Sequence, residues 1–307
     1  MIDMGTQRIY ARVGAVADSS FLRVVPRGRL LGAFTDGGNV QLFNTNGTDV
    51  RTVVPFGARN FGYIRHADAG LNSISYRSMA DPVNGRASAE IGVVDSLGAP
   101  VRSIRTTLGF NEIITSRLFA DGTALVVARL EGATSPTPFA VWRITADGAV
   151  SKGVELPTPP FARWSADLSP TGNRLAFVSA GGQGSNELRV YDLATLNETV
   201  LAPDAREPVF SPQGTQVAFL AGSSPSQTVQ SGSLFVVNVD GSGRRLLSND
   251  AYFGGVAWAP DGTKIVARSA PQAALRIIRL ADGAAVTLRL KDAGGFDVPY
   301  FNFDWWR

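Results

Sequence analysis

One histidine, no cysteine and an arginine-rich set of basic residues restrict the chemistry open to this chain. His66 is the only imidazole in 307 residues. A His-rich metal cage is therefore excluded, and a Ser-His-Asp triad has one place to form. No G-x-S-x-G elbow stands ready to supply its nucleophile. A lone histidine beside the first strand of a sheet is more often a packed or channel-lining residue than a catalyst. Without cysteine there is neither a disulfide framework nor thiolate chemistry. Asp36, Asp192, Asp240 and Asp282 stand in turn positions, where aspartate hydrogen-bonds its own backbone. None has the D-x-D-x-D-G spacing of a calcium loop; N-V-D-G-S-G at Asn238 comes nearest and reads as a turn.

What remains is a recurring association of arginine with aromatic residues. Phe61 goes with Arg65, Phe110 with Arg117, and Phe161 with Arg163 and Trp164; Arg206, then Tyr252 and Phe253, and finally Phe296 continue the series. His66 adjoins the first of these groups. Each stands at or just ahead of a short apolar run. Brought together around one opening, such residues suit an extended peptide, a carboxylate or a phosphate. The structural alternative is that the aromatics seal neighbouring sheets while the arginines pair with carboxylates such as Asp167 or Glu207.

The elements that must position them are legible from Glu207 to Ser248. Four short apolar runs are separated by Pro212-Gln213-Gly214, a Gly/Ser-rich segment and Asp240-Gly241, as in a four-stranded antiparallel meander. The same unit recurs along the chain. Its first-turn glycines are Gly28, Gly70, Gly122, Gly172, Gly214 and Gly262, and a second-turn glycine recurs at Gly47, Gly98, Gly148, Gly241 and Gly283. Paired recurrence at a period of roughly 40–50 residues predicts an all-β fold, a β-propeller. Six four-stranded antiparallel blades are expected, over residues 20–55, 60–107, 112–156, 161–202, 205–249 and 252–290, making residues 1–307 a single domain. A seventh, partial blade is the alternative count. A closed ring needs a strand from one terminus in a sheet from the other. Either the tail, residues 296–304, or a single leading strand at Gln7–Val16 is expected to supply it.

Strand order also separates the two ends of the ring. First-to-second and third-to-fourth connections lie at one end and read as tight turns: P-R-G, A-D-G, P-T-G, P-Q-G and P-D-G. Second-to-third and inter-blade connections lie at the other and read as longer. They are residues 79–88, 131–138, 180–186 and 221–232 within blades, and 55–63, 107–116, 156–165, 202–208 and 249–255 between them. Long connections on a rigid scaffold are where binding is usually built, so the arginine and aromatic groups are expected to converge on the channel mouth at that end.

S-P-T-G-N-R-L-A-F-V-S, S-P-Q-G-T-Q-V-A-F-L-A and A-P-D-G-T-K-I-V-A-R-S, with V-N-V-D-G-S-G-R-R-L-L-S, resemble the repeat of TolB-type propellers. The likeness is strongest in the last three units and covers the propeller only. It implies a non-enzymatic binding or scaffold role toward a protein or peptide, and an extracytoplasmic, cell-envelope setting. The first residues, Met1 to Arg8, do not have the form of a secretory signal. That leaves a cytosolic protein or a chain that begins after a removed signal.

Charge and hydropathy exclude other classes. Net charge is +3 despite a pI near 9.4; Arg244-Arg245 is the one adjacent basic pair, so the clustered face of a nucleic-acid binder is not expected. No apolar run is long enough for a membrane span. A monomer without a cofactor is expected, although a water-filled channel leaves room for a trapped cation such as calcium. Two other functions fit the same pattern: a lyase or glycoside hydrolase using the channel mouth, or one module of a larger protein.

Overall fold

The computed structural model describes residues 5–13, 16–24, 28–34, 40–54, 63–66, 73–83, 86–95, 97, 99–130, 139–157, 166–180, 186–222, 231–252, 254–269, 274–289 and 300–306. Twenty-five strands lie among them. A hairpin of β1 (Gly5–Val13) and β2 (Val16–Val24) comes first. Next are β3 (Arg29–Phe34), β4 (Val40–Asn44) and β5 (Arg51–Val54). A long meander follows: β6 (Tyr63–His66), β7 (Ser73–Val83), β8 (Arg86–Asp95), β9 (Pro100–Leu118), β10 (Ala124–Leu130), β11 (Ala140–Ile144) and β12 (Val150–Glu155). Then come β13 (Ala166–Leu168), β14 (Arg174–Ala180), β15 (Asn186–Asp192) and β16 (Glu198–Pro203). The next four are β17 (Ala205–Phe210), β18 (Gln216–Ala221), β19 (Gly232–Asn238) and β20 (Arg245–Tyr252). The last five are β21 (Ala257–Trp258), β22 (Lys264–Arg268), β23 (Leu275–Arg279), β24 (Ala285–Leu288) and β25 (Tyr300–Trp306). Among the described residues no helix is long and apolar enough to cross a membrane.

The sheets are antiparallel blades packed face to face. The alternation along each second strand shows why the sequence runs are nearly continuous in apolar residues. In β14, Leu175 and Phe177 pack toward β9–β12 while Ala176 packs toward β17–β20. In β18, Val217 and Phe219 face β13–β16, and Ala218 and Leu220 face β21–β24. In β22, Ile265 and Ala267 face β17–β20, and Val266 faces β3 and β4. A strand with a neighbouring sheet on both sides needs apolar side chains at both parities. Each fully buried ring, such as Phe177 or Phe219, contributes roughly 2–3 kcal/mol from burial.

The tail closes the ring: β25 pairs with β3, from Tyr300 opposite Phe34 to Trp306 opposite Arg29. Trp305 is buried with Leu30, Phe43 and Val266, so the last blade and the first share a core. The leading segment is not a single closing strand. It forms the β1–β2 hairpin, which takes Phe21–Val24 away from the first blade and leaves the inner position there to β25.

The blade count differs from the six, or seven, that the repeats predict. Besides the hairpin there are five sheets among the described residues, four of four strands and one of seven. The expected connection at 107–116 is instead the middle of β9, whose first half pairs with β8 and whose second half pairs with β10. One unbroken strand thus serves two sequence units and joins them. The seven-stranded sheet doubles over along it, packing Val93 and Ile104 against Leu118, Val126 and Ile144. The expected connection at 79–88 is also largely strand, with Met79 opposite Ala89 and Val83 opposite Arg86.

Tight turns mark one end of the propeller. At Asp121-Gly122-Thr123, Asp240-Gly241-Ser242 and Asp261-Gly262-Thr263 the aspartate accepts from the backbone N–H and the hydroxyl two residues on, at 2.6–2.9 Å. The intervening glycine holds a positive φ of 70–87°. At the same end Arg245 donates to the Leu280 carbonyl of the next blade at 2.7 Å and Arg102 to the Ala146 carbonyl at 3.2 Å.

Candidate functional site

At the opposite end, too, polar side chains reach between strands and between blades. The arrangement starts from a β-bulge in β17. Arg206 pairs with Leu220 and Val209 with Ala218, so Glu207 and Pro208 carry one residue more than β18 opposes. Glu207 takes a left-handed φ of 50°, a strain of about 1–2 kcal/mol for a residue with a Cβ. Bulges re-aim side chains, and this one sends the Glu207 carboxylate across to the next blade.

There it lies over Gly254, where a Cβ would come within 2.3 Å of Oε1, and Oε2 accepts a hydrogen bond from the Gly255 N–H at 3.0 Å. Although the residue as a whole is only partly buried, its carboxyl group is shut in. Burial pushes that carboxyl up to about 7, and the Gly255 bond and the charges of Arg206 and Arg268 offset only part of the shift. Burial also pulls both guanidinium groups below their ordinary range, opposed by the Glu207 charge. Desolvation outweighs attraction here because no guanidinium among the described residues comes within ion-pair distance of Glu207.

Arg206 and Arg268 come from different elements. The Arg206 Nη2 donates to the carbonyl of Gly222 at 3.1 Å and to that of Ser231, holding both ends of the β18–β19 connection. Its Nε is buried without an acceptor among the described residues. Arg268 ends β22, and its backbone N–H donates to the Gly254 carbonyl at 3.2 Å. Two cations and one carboxylate able to change charge near neutrality can bind an anion or move a proton. Among the described residues no group of three acidic or imidazole side chains is placed to hold a metal ion.

The other sequence candidates do not form one ring. Arg206 and the Phe110 backbone, opposite Leu130, lie at the end of the long connections. Tyr252 does too, but its ring is fully buried between blades. Its hydroxyl meets Ser248 at 2.7 Å and donates to Asp250 at 3.2 Å, and burial pushes it up to about 12. Arg65 and His66, in β6 opposite Ser75 and Ile74, fall toward the tight turns instead, and the side chains of Arg65, His66 and Phe110 are outside the described set. So are Arg163, Trp164, Phe253 and Phe296, together with Phe61 and Phe161. The connections expected at 202–208 and 249–255 are mostly strand.

Arg117 is a seam residue rather than a mouth residue. Its Nε donates to the Leu168 carbonyl at 2.9 Å and its Nη2 lies 3.7 Å from Asp167. Asp167 is 1% exposed and accepts from the Phe210 N–H at 2.8 Å, so three successive inner strands are tied at one carboxylate. Trp258 continues the line, its Nε1 donating to the Val209 carbonyl at 3.0 Å. Glu207 is legible in the sequence only as a possible arginine partner. Its role depends on the diglycine 48 positions later.

No protein-family model matches the chain, and neither does any curated protein. Solved structures do match. TolB from Acinetobacter baumannii superposes with a TM-score of 0.63 at 16% identity, over 91% of this chain and 66% of its own. A putative TolB from Agrobacterium tumefaciens gives 0.59 at 17%, over 90% and 91%. Its fold is that of the TolB-type propeller. The nidogen/laminin complex contains a chain that matches at 0.61 with 13% identity, over 92% and 99%. The chain thus spans just under two thirds of the Acinetobacter TolB.

Proposed function

We propose that this propeller is a binding or scaffold protein that presents the end carrying its long connections to a protein or peptide partner, in an extracytoplasmic, cell-envelope setting. The observation that carries the reading is the polar arrangement built on the β17 bulge at that end. There Arg206 reaches across to the carbonyls of Gly222 and Ser231, and the bulge sends Glu207 onto the Gly255 N–H of the next blade, where its carboxyl is pushed up to about 7. Similarity to TolB propellers and to a chain of the nidogen/laminin complex supports a binding role and this setting.

Hydroxyl-radical footprinting of the chain with a captured partner tests it. Protection is expected at the described residues that flank the long connections, Phe139, Ala180, Asn186, Arg206, Gly222 and Ser231, and the turns at Asp121, Asp240 and Asp261 stay reactive. Protection confined to those turns would overturn the reading.

One observation favours a second reading. A carboxyl group titrating near 7 between two arginines is suited to general acid or base work on an anionic glycan, as in a lyase or glycoside hydrolase. Turnover in a polyuronate or glycan screen that disappears in Glu207→Gln would select it.

A further inference from the structure

We infer that Glu207 is a pH-operated latch on the β20–β21 connection: it holds Gly254 and Gly255 against β17 while protonated and lets them go once ionised. The inference rests on the reading of this end as the contact face and adds a means of regulating that face.

The latch is built from three departures from regular backbone that meet at one carboxyl group. Glu207 sits in the β17 bulge with a left-handed φ of 50°, and Gly254 and Gly255 meet it at φ 106° and 63°. A Cβ at Gly254 would come within 2.3 Å of Oε1, and the Gly255 N–H donates to Oε2 at 3.0 Å. Gly254 is also tied to its own blade, its carbonyl accepting from the Arg268 N–H at 3.2 Å. Trp258 fastens the seam deeper in, its Nε1 donating to the Val209 carbonyl at 3.0 Å. The diglycine can therefore move off β17 without undoing the seam, turning on residues that have no Cβ to restrict them. Release also frees Glu207 to leave its left-handed conformation.

The charge on one group decides between the two positions. Shut in against the diglycine, a neutral carboxyl costs far less than a carboxylate, which gains by reaching water. Burial pushes the Glu207 carboxyl up to about 7, against the Gly255 bond and the charges of Arg206 and Arg268. The other charged groups on elements packed against β17 have ion-pair partners of their own. Asp167 of β13 faces Arg117, Arg174 of β14 meets Asp192, and Arg189 of β15 pairs with Glu187 and Glu198. Neither β18 nor β21 carries a charged residue. On the approach to the diglycine, Asp250 meets Arg276 and the Tyr252 hydroxyl. In the released position the Glu207 carboxyl returns toward 4.5. The closed position therefore holds the extra proton, and the released population rises by about tenfold from pH 6 to pH 8.

Amide hydrogen exchange followed by NMR tests this, with each rate divided into its unstructured-chain value at the same pH. In the native chain the Gly255 amide should lose about tenfold of its protection between pH 6 and pH 8. The Phe210 amide, held by Asp167 in the neighbouring seam, should keep its protection. Glu207→Gln should hold the Gly255 amide near its pH 6 protection at both values. Glu207→Ala, which removes the acceptor, should leave it weakly protected at both. Constant Gly255 protection in the native chain, a loss that survives Glu207→Gln, or a parallel loss at Phe210 would overturn the inference. If Gly255 behaves as expected while a captured partner protects only the turns at Asp121, Asp240 and Asp261, the latch stands and the contact face falls. If a partner protects Arg206, Gly222 and Ser231 while Gly255 does not respond to pH, the contact face stands and the latch falls.

Discussion

The two seams that flank blade β17–β20 are closed by the same device with different consequences. In each, a carboxylate on an inner strand accepts the backbone N–H of the following blade: Asp167 from Phe210 at 2.8 Å and Glu207 from Gly255 at 3.0 Å. Asp167 also has Arg117 at ion-pair distance, and that arginine is anchored in turn on the Leu168 carbonyl. Glu207 has two arginines in its field and neither in contact. A buried carboxylate with a cation at hand is a fixed fastener; one held from its cations by packing is poised to change charge. The lesson is that a seam becomes responsive through what its carboxylate lacks.

The largest effect expected is at the compensated seam. Asp167→Ala strands the largely buried Arg117 and the Phe210 N–H, and should cost about 3 kcal/mol in urea unfolding. A loss below about 1 kcal/mol would remove the contrast between the seams. Next comes Gly254→Ala, which adds a Cβ at φ +106° against the Glu207 carboxylate; a loss of about 2–3 kcal/mol is expected. Gly222→Ala has a similar φ of +91° with open space around it, and should cost only about 1 kcal/mol. Equal losses at the two glycines would show that φ alone, and not the carboxylate, sets the requirement.

The uncompensated seam gives a pH signature. Because the Glu207 carboxyl is raised from 4.5 to about 7 in the folded state, the folded chain holds a proton that the unfolded chain has released. Stability from this group therefore falls as pH rises between those values. Glu207→Gln removes the penalty while keeping an acceptor for Gly255. It should stabilise the chain by about 2–3 kcal/mol at pH 8 and leave it nearly unchanged at pH 4. No such gain at pH 8 would equate the two seams. The smallest effect belongs to the turns. Asp282, bonded to Arg279 at 2.6–2.9 Å, is lowered to about 2. Its contribution is present above the ordinary aspartate range and is lost only as pH falls toward 2. Asp282→Asn should therefore lower stability slightly and equally across pH 5 to 8, leaving the shape of the pH dependence there unchanged.

Much of the propeller was legible because its information is local. The D-G-T and D-G-S turns, the apolar β14, β18 and β22, and the repeated glycines each announce themselves within a few residues. The tail was legible as a closing candidate because a closed ring needs a strand from one terminus in a sheet from the other. The fusion through β9 was not, because whether Thr107–Ser116 forms a connection or a strand depends on partners on both sides of it. The hairpin was hidden for the same reason: Phe21–Val24 suits a first strand, and β25 takes that place. At the site, Arg206 and Arg117 could be named, but their opposite circumstances depend on contacts 16 to 51 positions away. Glu207 shows no local pattern at all, since its environment is made by a bulge and a diglycine from the next blade.

The most direct measurement is a carbon-13 NMR titration of the glutamate side-chain carboxyls, with Glu207 assigned by the signal missing from Glu207→Gln. A midpoint near 7 for Glu207 is the expected result. A midpoint near 4.5 would mean that its charge is matched as fully as that of Asp167, and would contradict the account.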